Sequence, residues 1–363
     1  MRTYAFKLYR SKRNKRLKQK ISLAGVIYNH LIALHRRYYR LFGHSLGAYR
    51  LKNHITKLKK TKRFLFWNNL GSQAIQDIAE RIDRAYKLFF RNLTHRIRAA
   101  PPGFRKVRRY RSFTLKQAGY KLLSGNRVVI MGHEYKYFKS REIGGKIKTL
   151  TVKRDALGDF WLYFVTDEDI EPIETRSGKS VGLDFGLKTF LTTSDGEKIE
   201  SPFFMRRAAG RIKELSRKLS TKKRGSRNRT KAMFNLARAH RRVANQRKDF
   251  HFKLARALAL QYAYIFVEDL NMKAMQRMWG RKISDLGHAK FLNILAWEMH
   301  KNGSQGAKID RFYPSSKTCS SCSYVLPELS LSMREWKCPK CSAEHDRDVN
   351  AAINIERVGS STL

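Results

Sequence analysis

Four cysteines, the only ones in the chain, fall within one short stretch: Cys319-x2-Cys322, fifteen intervening residues, then Cys338-x2-Cys341. Two knuckles at this separation supply four thiolates to a single tetrahedral Zn²⁺. With every position taken by cysteine, none stays open for a substrate. The expected metal is therefore structural, and residues 313–345 are expected to form a zinc ribbon that folds around it. Free or redox-active thiols are the competing reading, and the symmetric spacing argues against them. The ribbon ends at His345, immediately before Asp346 and Asp348, so it is placed to hold an aspartate beside whatever core precedes it.

The chain has 363 residues, enough for two or three domains, and 42% of them are hydrophobic, which describes a folded protein rather than a basic tail. Against 29 Asp+Glu stand 77 Lys+Arg, a formal net charge of +48. Self-repulsion at that level opposes compaction, and a polyanion relieves it by releasing its counterions. The basic residues run through the whole sequence, so the expected polyanion is contacted by several domains. That favours nucleic acid over a membrane surface; a highly basic structural protein is the plainer alternative. No segment approaches the ~20 apolar residues of a membrane span. The basic stretch Arg10–Lys20 lacks a signal peptide's apolar core. A soluble intracellular protein is expected, and inside a reducing cell clustered thiols read as metal ligands.

Thr3–Tyr9 alternates Tyr4, Phe6 and Leu8 with Ala5 and Lys7, the period of a half-buried strand. Helical material follows over 17–100, clearest where Ile75, Ile78, Ile82, Ala85, Phe89 and Leu93 make an amphipathic stripe. Aromatics among the basic residues, Tyr38-Tyr39 and Phe64-Leu65-Phe66-Trp67, suit either a core or base stacking. Ala100-Pro101-Pro102-Gly103 breaks the helices. Short β runs follow at 128–131, 135–138, 147–152 and 160–165, punctuated by Gly144-Gly145 and Leu157-Gly158-Asp159. If the first strand joins this sheet, 17–100 is a helical insertion within a β-domain made of 1–16 and 101–176. From 177 the pattern changes: strands at 179–185, 190–194, 264–267 and 308–312, and a very basic helical region over 206–262. That region is interrupted at Lys222–Arg229, either a phosphate-contacting turn or a solvated loop.

Three carboxylates stand out by their settings. Asp184 lies in Val181-Gly182-Leu183-Asp184-Phe185-Gly186, on the strand face opposite Val181, Leu183 and Phe185, beside a glycine that leaves room for a backbone or a metal. Glu268 ends the apolar strand Tyr264–Val267, the usual ligand-binding end of an α/β sheet. Asp348 opens a helical run, where Asp346 competes for the same part and simple helix capping is the alternative. A two-metal nuclease draws carboxylates from several segments to hold ions ~3.5–4 Å apart, and hard oxygen donors suit Mg²⁺ or Mn²⁺. Asp on a first strand, Glu at a later strand end and Asp at a C-terminal helix start make the RNase H-like pattern.

The segment from Phe312-Tyr-Pro-Ser-Ser-Lys-Thr-Cys, through Trp336-Lys-Cys-Pro-Lys-Cys, to His345-Asp-Arg-Asp-Val-Asn-Ala-Ala resembles the C-terminal signature of the TnpB family, transposon-encoded relatives of type V CRISPR effector nucleases. Val181-Gly-Leu-Asp-Phe-Gly and Val267-Glu-Asp-Leu-Asn resemble its other two nuclease motifs, and Asn245-Gln-Arg-Lys-Asp-Phe the basic helix before the second. The N-terminal half resembles the family less closely, chiefly in Arg84-Ala-Tyr-Lys-Leu-Phe-Phe-Arg91. The resemblance implies a multidomain α/β protein: a RuvC-type, RNase H-like nuclease domain over 177–312 and 346–363, the ribbon inserted in it, and an N-terminal β-barrel wedge carrying a helical recognition insertion. It implies Asp184, Glu268 and Asp348 as the catalytic, Mg²⁺-holding triad, with Asp348 preferred to Asp346 because it directly precedes Val-Asn-Ala-Ala. It also implies a non-coding guide RNA (omega RNA), a double-stranded DNA target and a monomer in the ribonucleoprotein. An RNA-guided repressor that does not cut and an RNA-independent transposase are the alternatives. Ser323 and Ser342 depart from the family, standing where glycine commonly follows each knuckle's second cysteine.

Overall fold

The computed structural model describes residues 1–169, 178–330 and 332–362, so the expected boundary at 176/177 lies outside the described residues. The chain divides into two compact units, Met1–Ile170 and Glu171–Leu363.

The first unit opens with β1 (Arg2–Lys7), whose alternation buries Tyr4 and Phe6. Helices α1 (Asn14–Phe42), α2 (Ala48–Leu58) and α3 (Ser72–Thr94) follow, with a 3₁₀ turn at Lys62–Leu70 between the last two. Next come β2 (Ser112–Leu115), β3 (Tyr120–Leu122), β4 (Arg127–Ile130), β5 (His133–Lys136), β6 (Ile147–Arg154) and β7 (Phe160–Thr166). The main sheet runs β1-β7-β6-β2, all antiparallel, and β3-β4-β5 form a second. Because β1 pairs with β7, all three helices are threaded between strands of one sheet. The apolar stripe of α3 differs from its sequence reading at the C-terminal end. Ile75, Ile78 and Ile82 are buried, but the stripe continues through Tyr86, stacked on the buried ring of His35, while Leu93 is exposed. Of the two aromatic runs, Trp67 is core, whereas Tyr39 and Phe66 face solvent.

The second unit contains β8 (Ser180–Asp184), β9 (Thr189–Thr193), β10 (Lys198–Glu200), α4 (Phe204–Ser220), α5 (Arg227–Gln261) and β11 (Tyr264–Glu268). After these come α6 (Met272–Leu286), α7 (His288–Asn302), β12 (Lys308–Ile309), the ribbon hairpin β13 (Glu335–Lys337) and β14 (Glu344–Asp346), and α8 (Arg347–Ser360). The sheet order is β10-β9-β8-β11-β12; β9 and β10 are antiparallel to their neighbours, while β8, β11 and β12 run parallel. The strand expected at 308–312 is only two residues long. Beyond Ile309 the chain turns, with Asp310 accepting a hydrogen bond from the Phe312 N–H. The basic helical region is a hairpin of α4 and α5, in which Arg229 donates to the Leu219 and Lys222 carbonyls and closes the turn. No helix among the described residues is long and apolar enough to cross a membrane.

Helix α8 lies on the sheet at a separation that only glycine permits. A Cβ on Gly182 would sit 2.0 Å from the Ala352 carbonyl oxygen, and one on Gly359 would sit 2.2 Å from the Phe266 ring. Gly182→Ala is therefore expected to lower stability by about 3 kcal/mol, an overpacking cost. Gly210→Ala, with open space around it inside α4, should raise stability by roughly 0.5–1 kcal/mol. Thermal unfolding measures both, and a Gly182→Ala protein as stable as the parent would show that α8 does not rest on β8.

Candidate nuclease site and zinc ribbon

Parallel pairing brings two of the carboxylates together. Leu183 is registered with Val267, so the next residues, Asp184 and Glu268, leave the sheet side by side at the C-terminal ends of β8 and β11. Asp348 lies in the first turn of α8, whose closeness to Gly182 fixes its height above the strand, and its charge acts on Asp184. All three are half-buried. Crowding raises the Asp184 carboxyl to about 7: desolvation is the largest cause, the charges of Asp348 and then Glu268 add to it, and Arg347 and Arg334 oppose it. Desolvation pushes Glu268 up to about 6.

Each neighbouring acid is engaged elsewhere. Asp269 pairs with Arg311 and, at 3.2 Å, with Lys308. Asp346 caps α8, accepting hydrogen bonds from the Asp348 and Val349 N–H groups at 3.1 and 3.0 Å, and binds Lys198 at 2.5 Å. The capping role therefore falls to Asp346, and the Asp348 carboxylate is left facing the strand ends.

The ribbon packs on the other side of α8. Asn350 and Asn354, one helical turn apart and both buried, donate to the Thr318 carbonyl at 2.8 and 2.6 Å, and the Ser320 N–H donates back to Asn350. The four cysteine sulfurs lie within 4.8 Å of one another, with Cys319–Cys341 and Cys322–Cys338 each at 3.6 Å. Four thiols converging without a disulfide form a donor set that fits Zn²⁺. The Cys338 thiol is drawn down to about 7; desolvation acts against this, but hydrogen bonds from the Cys341 and Lys340 backbone outweigh it. The buried His345 Nε2 lies 3.1 Å from the Cys319 sulfur.

Arg334 was not distinguished by motif or spacing. Only the hairpin register, with Glu335 opposite Asp346, carries it to Asp348, where its guanidinium lies 3.2 and 3.3 Å from the two carboxylate oxygens.

Residues 163–278 match the OrfB_IS605 family model, described as "Probable transposase", and residues 288–355 match the Cas12f1-like TNB domain. A Streptomyces pristinaespiralis protein provisionally named an RNA-guided DNA endonuclease is 31% identical over 311 residues, covering 84% of this chain and 76% of the relative. The chain belongs to the TnpB family. InsQ of Escherichia coli K12, provisionally named in the same way, is 28% identical over 80% of this chain and 75% of its own length. TnpB-like protein L79 of Acanthamoeba polyphaga mimivirus is 28% identical over 58% of this chain and 43% of its own length. A cryo-EM structure of a Cas12f1–sgRNA–target DNA complex contains a chain that superposes with a TM-score of 0.61, covering 96% of this chain and 83% of that one at 15% identity; the fold is shared.

Within this TnpB framework, the two departures have a structural consequence. Ser323 and Ser342 adopt φ of 61° and 59°, the left-handed region that disfavours a Cβ, and each donates its N–H to the carbonyl of its knuckle's first cysteine at 2.9 Å. Ser323→Gly and Ser342→Gly should each stabilise the ribbon by roughly 1 kcal/mol and slow zinc extraction by a chelator; faster extraction from both variants would refute the strain.

The raised Asp184 carboxyl sets a pH dependence for the metal-free protein. An acid whose folded pKa lies near 7, against an ordinary value of 3.8, supports the fold while protonated and opposes it as pH rises through that window. In divalent-free buffer, Asp184→Asn should melt roughly 3–8 °C above the parent at pH 8, with the gap narrowing toward pH 4. A gap constant with pH would remove the carboxyl as its source.

Proposed function

We propose that this protein is an RNA-guided DNA endonuclease of a transposable element, cutting with a RuvC-type site formed by Asp184, Glu268 and Asp348. One observation carries the reading: carboxylates from three separate segments lie around the C-terminal ends of β8 and β11, near enough for the charges of Asp348 and Glu268 to act on Asp184, while the acids beside them are consumed by ion pairs and a helix cap. The order β10-β9-β8-β11-β12, with α8 laid across it, supports an RNase H-like fold for the second unit. Hard oxygen donors fit Mg²⁺ or Mn²⁺. When bound, such ions supply Lewis-acid charge to the attacking and leaving oxygens of phosphodiester hydrolysis. The protein's part is to fix the carboxylates: β8 and β11 set two of them in register, and α8 sets the third. Arg334, mostly exposed beside Asp348, puts positive charge where a phosphate would approach. Zinc held by Cys319, Cys322, Cys338 and Cys341 would keep the ribbon folded against α8.

The remaining parts follow from charge and from the relatives. The wedge-like β-domain of 1–16 and 101–176, with its helical recognition insertion at 17–100, would bind the guide RNA and the DNA beside the target. The Lys222–Arg229 turn and the flanking α4 and α5 offer phosphates a row of arginines and lysines. The names of the Streptomyces and Escherichia relatives support guidance by RNA, and the Cas12f1 complex supports RNA and target DNA as partners. A monomer in the prokaryotic cytoplasm completes the proposal. An RNA-independent transposase is the second reading, favoured by the description of the OrfB_IS605 family.

RNA co-purifying from cells that carry the native flanking DNA should be dominated by one species with a constant scaffold and a genome-matching segment. That ribonucleoprotein should cut matched duplex DNA only with a divalent ion. Asp184→Ala should lower cutting by on the order of 10³-fold, about 4 kcal/mol of barrier, with RNA binding retained. Heterogeneous RNA with cutting at transposon ends would favour the transposase, and full activity in Asp184→Ala would dismiss the site.

A further inference from the structure

Resting on the nuclease reading of the second unit, we propose that Phe312 is a base-stacking residue that holds single-stranded DNA beside the carboxylate site. Phe312 is 85% exposed, an extreme value for so large an apolar side chain. Its place is specific. β12 runs parallel to β11 with Ile309 registered on Glu268, so the chain leaving β12 emerges at the sheet edge that carries Asp184 and Glu268. Its backbone is held: the Phe312 N–H donates to Asp310 at 2.8 Å, and the preceding Arg311 pairs with Asp269, the residue after Glu268. A ring on an anchored turn loses little freedom when a base stacks on it. Lys308 and Arg311 flank the turn; both pair with the single carboxylate of Asp269, and their remaining N–H donors can be shared with a phosphate. An aromatic face beside basic side chains grips single strands regardless of sequence, because every base has a π-face. A duplex hides those faces, so the turn selects a strand that has already been unwound.

Stacking predicts a graded response. In the ribonucleoprotein, Phe312→Ala should slow cleavage of matched DNA roughly 5- to 150-fold with duplex target binding unchanged. Phe312→Trp and Phe312→Tyr should restore the rate, and Phe312→Leu, apolar but without a π-face, should not. A second readout does not depend on cutting. In an Asp184→Asn background, the emission added by Phe312→Trp should be quenched by a short single-stranded oligo(dT). Quenching without any cleavage in the parent would keep the stacking role and reject the nuclease. Normal cleavage in Phe312→Ala, rescue by leucine, or no quenching would reject the stacking role and leave the nuclease reading intact.

Discussion

The second unit depends on the contact between α8 and the sheet. Helices usually pack with side chains interposed, yet here the Ala352 carbonyl and the Glu356 N–H lie so close to Gly182 that a Cβ on that residue would fall 2.0 and 2.6 Å from them. At Gly359 the helix backbone instead takes the Phe266 ring, which a Cβ there would approach to 2.2 Å. One backbone-on-backbone contact and one ring seated on backbone together fix the helix in translation and rotation. Asp348, four residues before Ala352, inherits that precision. On the far face, Asn350 and Asn354 grip the first cysteine knuckle, so the ribbon, the helix and the strand ends form one stack. The four cysteines thus bear on the position of a carboxylate that they do not touch.

Much of this stack was legible because its signals are local. Cysteine spacing encodes a ligand geometry, and strand alternation put Asp184 opposite Val181 and Leu183. Gly182 was recognisable as a place of close approach, although the sequence left open whether a metal or a backbone approached; the backbone of α8 does. The position of Glu268 followed from the apolar run before it. The choice between Asp346 and Asp348 rested on resemblance, and a physical reason appears only when Asp346 is seen accepting two N–H groups at the helix start.

What escaped the sequence depends on long-range register. β2 and β3 have four and three residues, too short for alternation to separate them from loop. Helices α6 and α7 are joined by Gly287 in a left-handed cap, and α7 buries the polar Glu298 and Asn302 along with its apolar side chains, which blurs its stripe. Tyr86, four residues after Ile82, carries the α3 stripe on in helical step and stacks on His35; a tyrosine among basic residues gives no apolar signal of its own. Arg334 is one arginine among many until a hairpin aligns it with Asp348.

The acids beside the site show how a strongly basic chain keeps carboxylates available. With cations on every side, any exposed aspartate tends to be neutralised by a guanidinium or an ammonium, and a carboxylate so paired has fewer lone pairs for a metal. Here the pairing is diverted to neighbours. Asp269 takes Arg311 and Lys308, and its pKa falls, first through the Arg311 hydrogen bond. Asp346 is desolvated, yet Lys198 and the helix N–H groups outweigh that and lower it. Glu268 and Asp184 shift the other way, Glu268 through burial and Asp184 through burial with the charges of Asp348 and Glu268 added. The pairing of Arg334 with Asp348 is of a different kind: the arginine is mostly exposed, so water competes for it and the contact is weak. It eases repulsion among the three acids without closing the site. Placing a bound acid beside Glu268 and another beside Asp348 lets a chain of net charge +48 attract nucleic acid and still keep negative charge where the chemistry requires it.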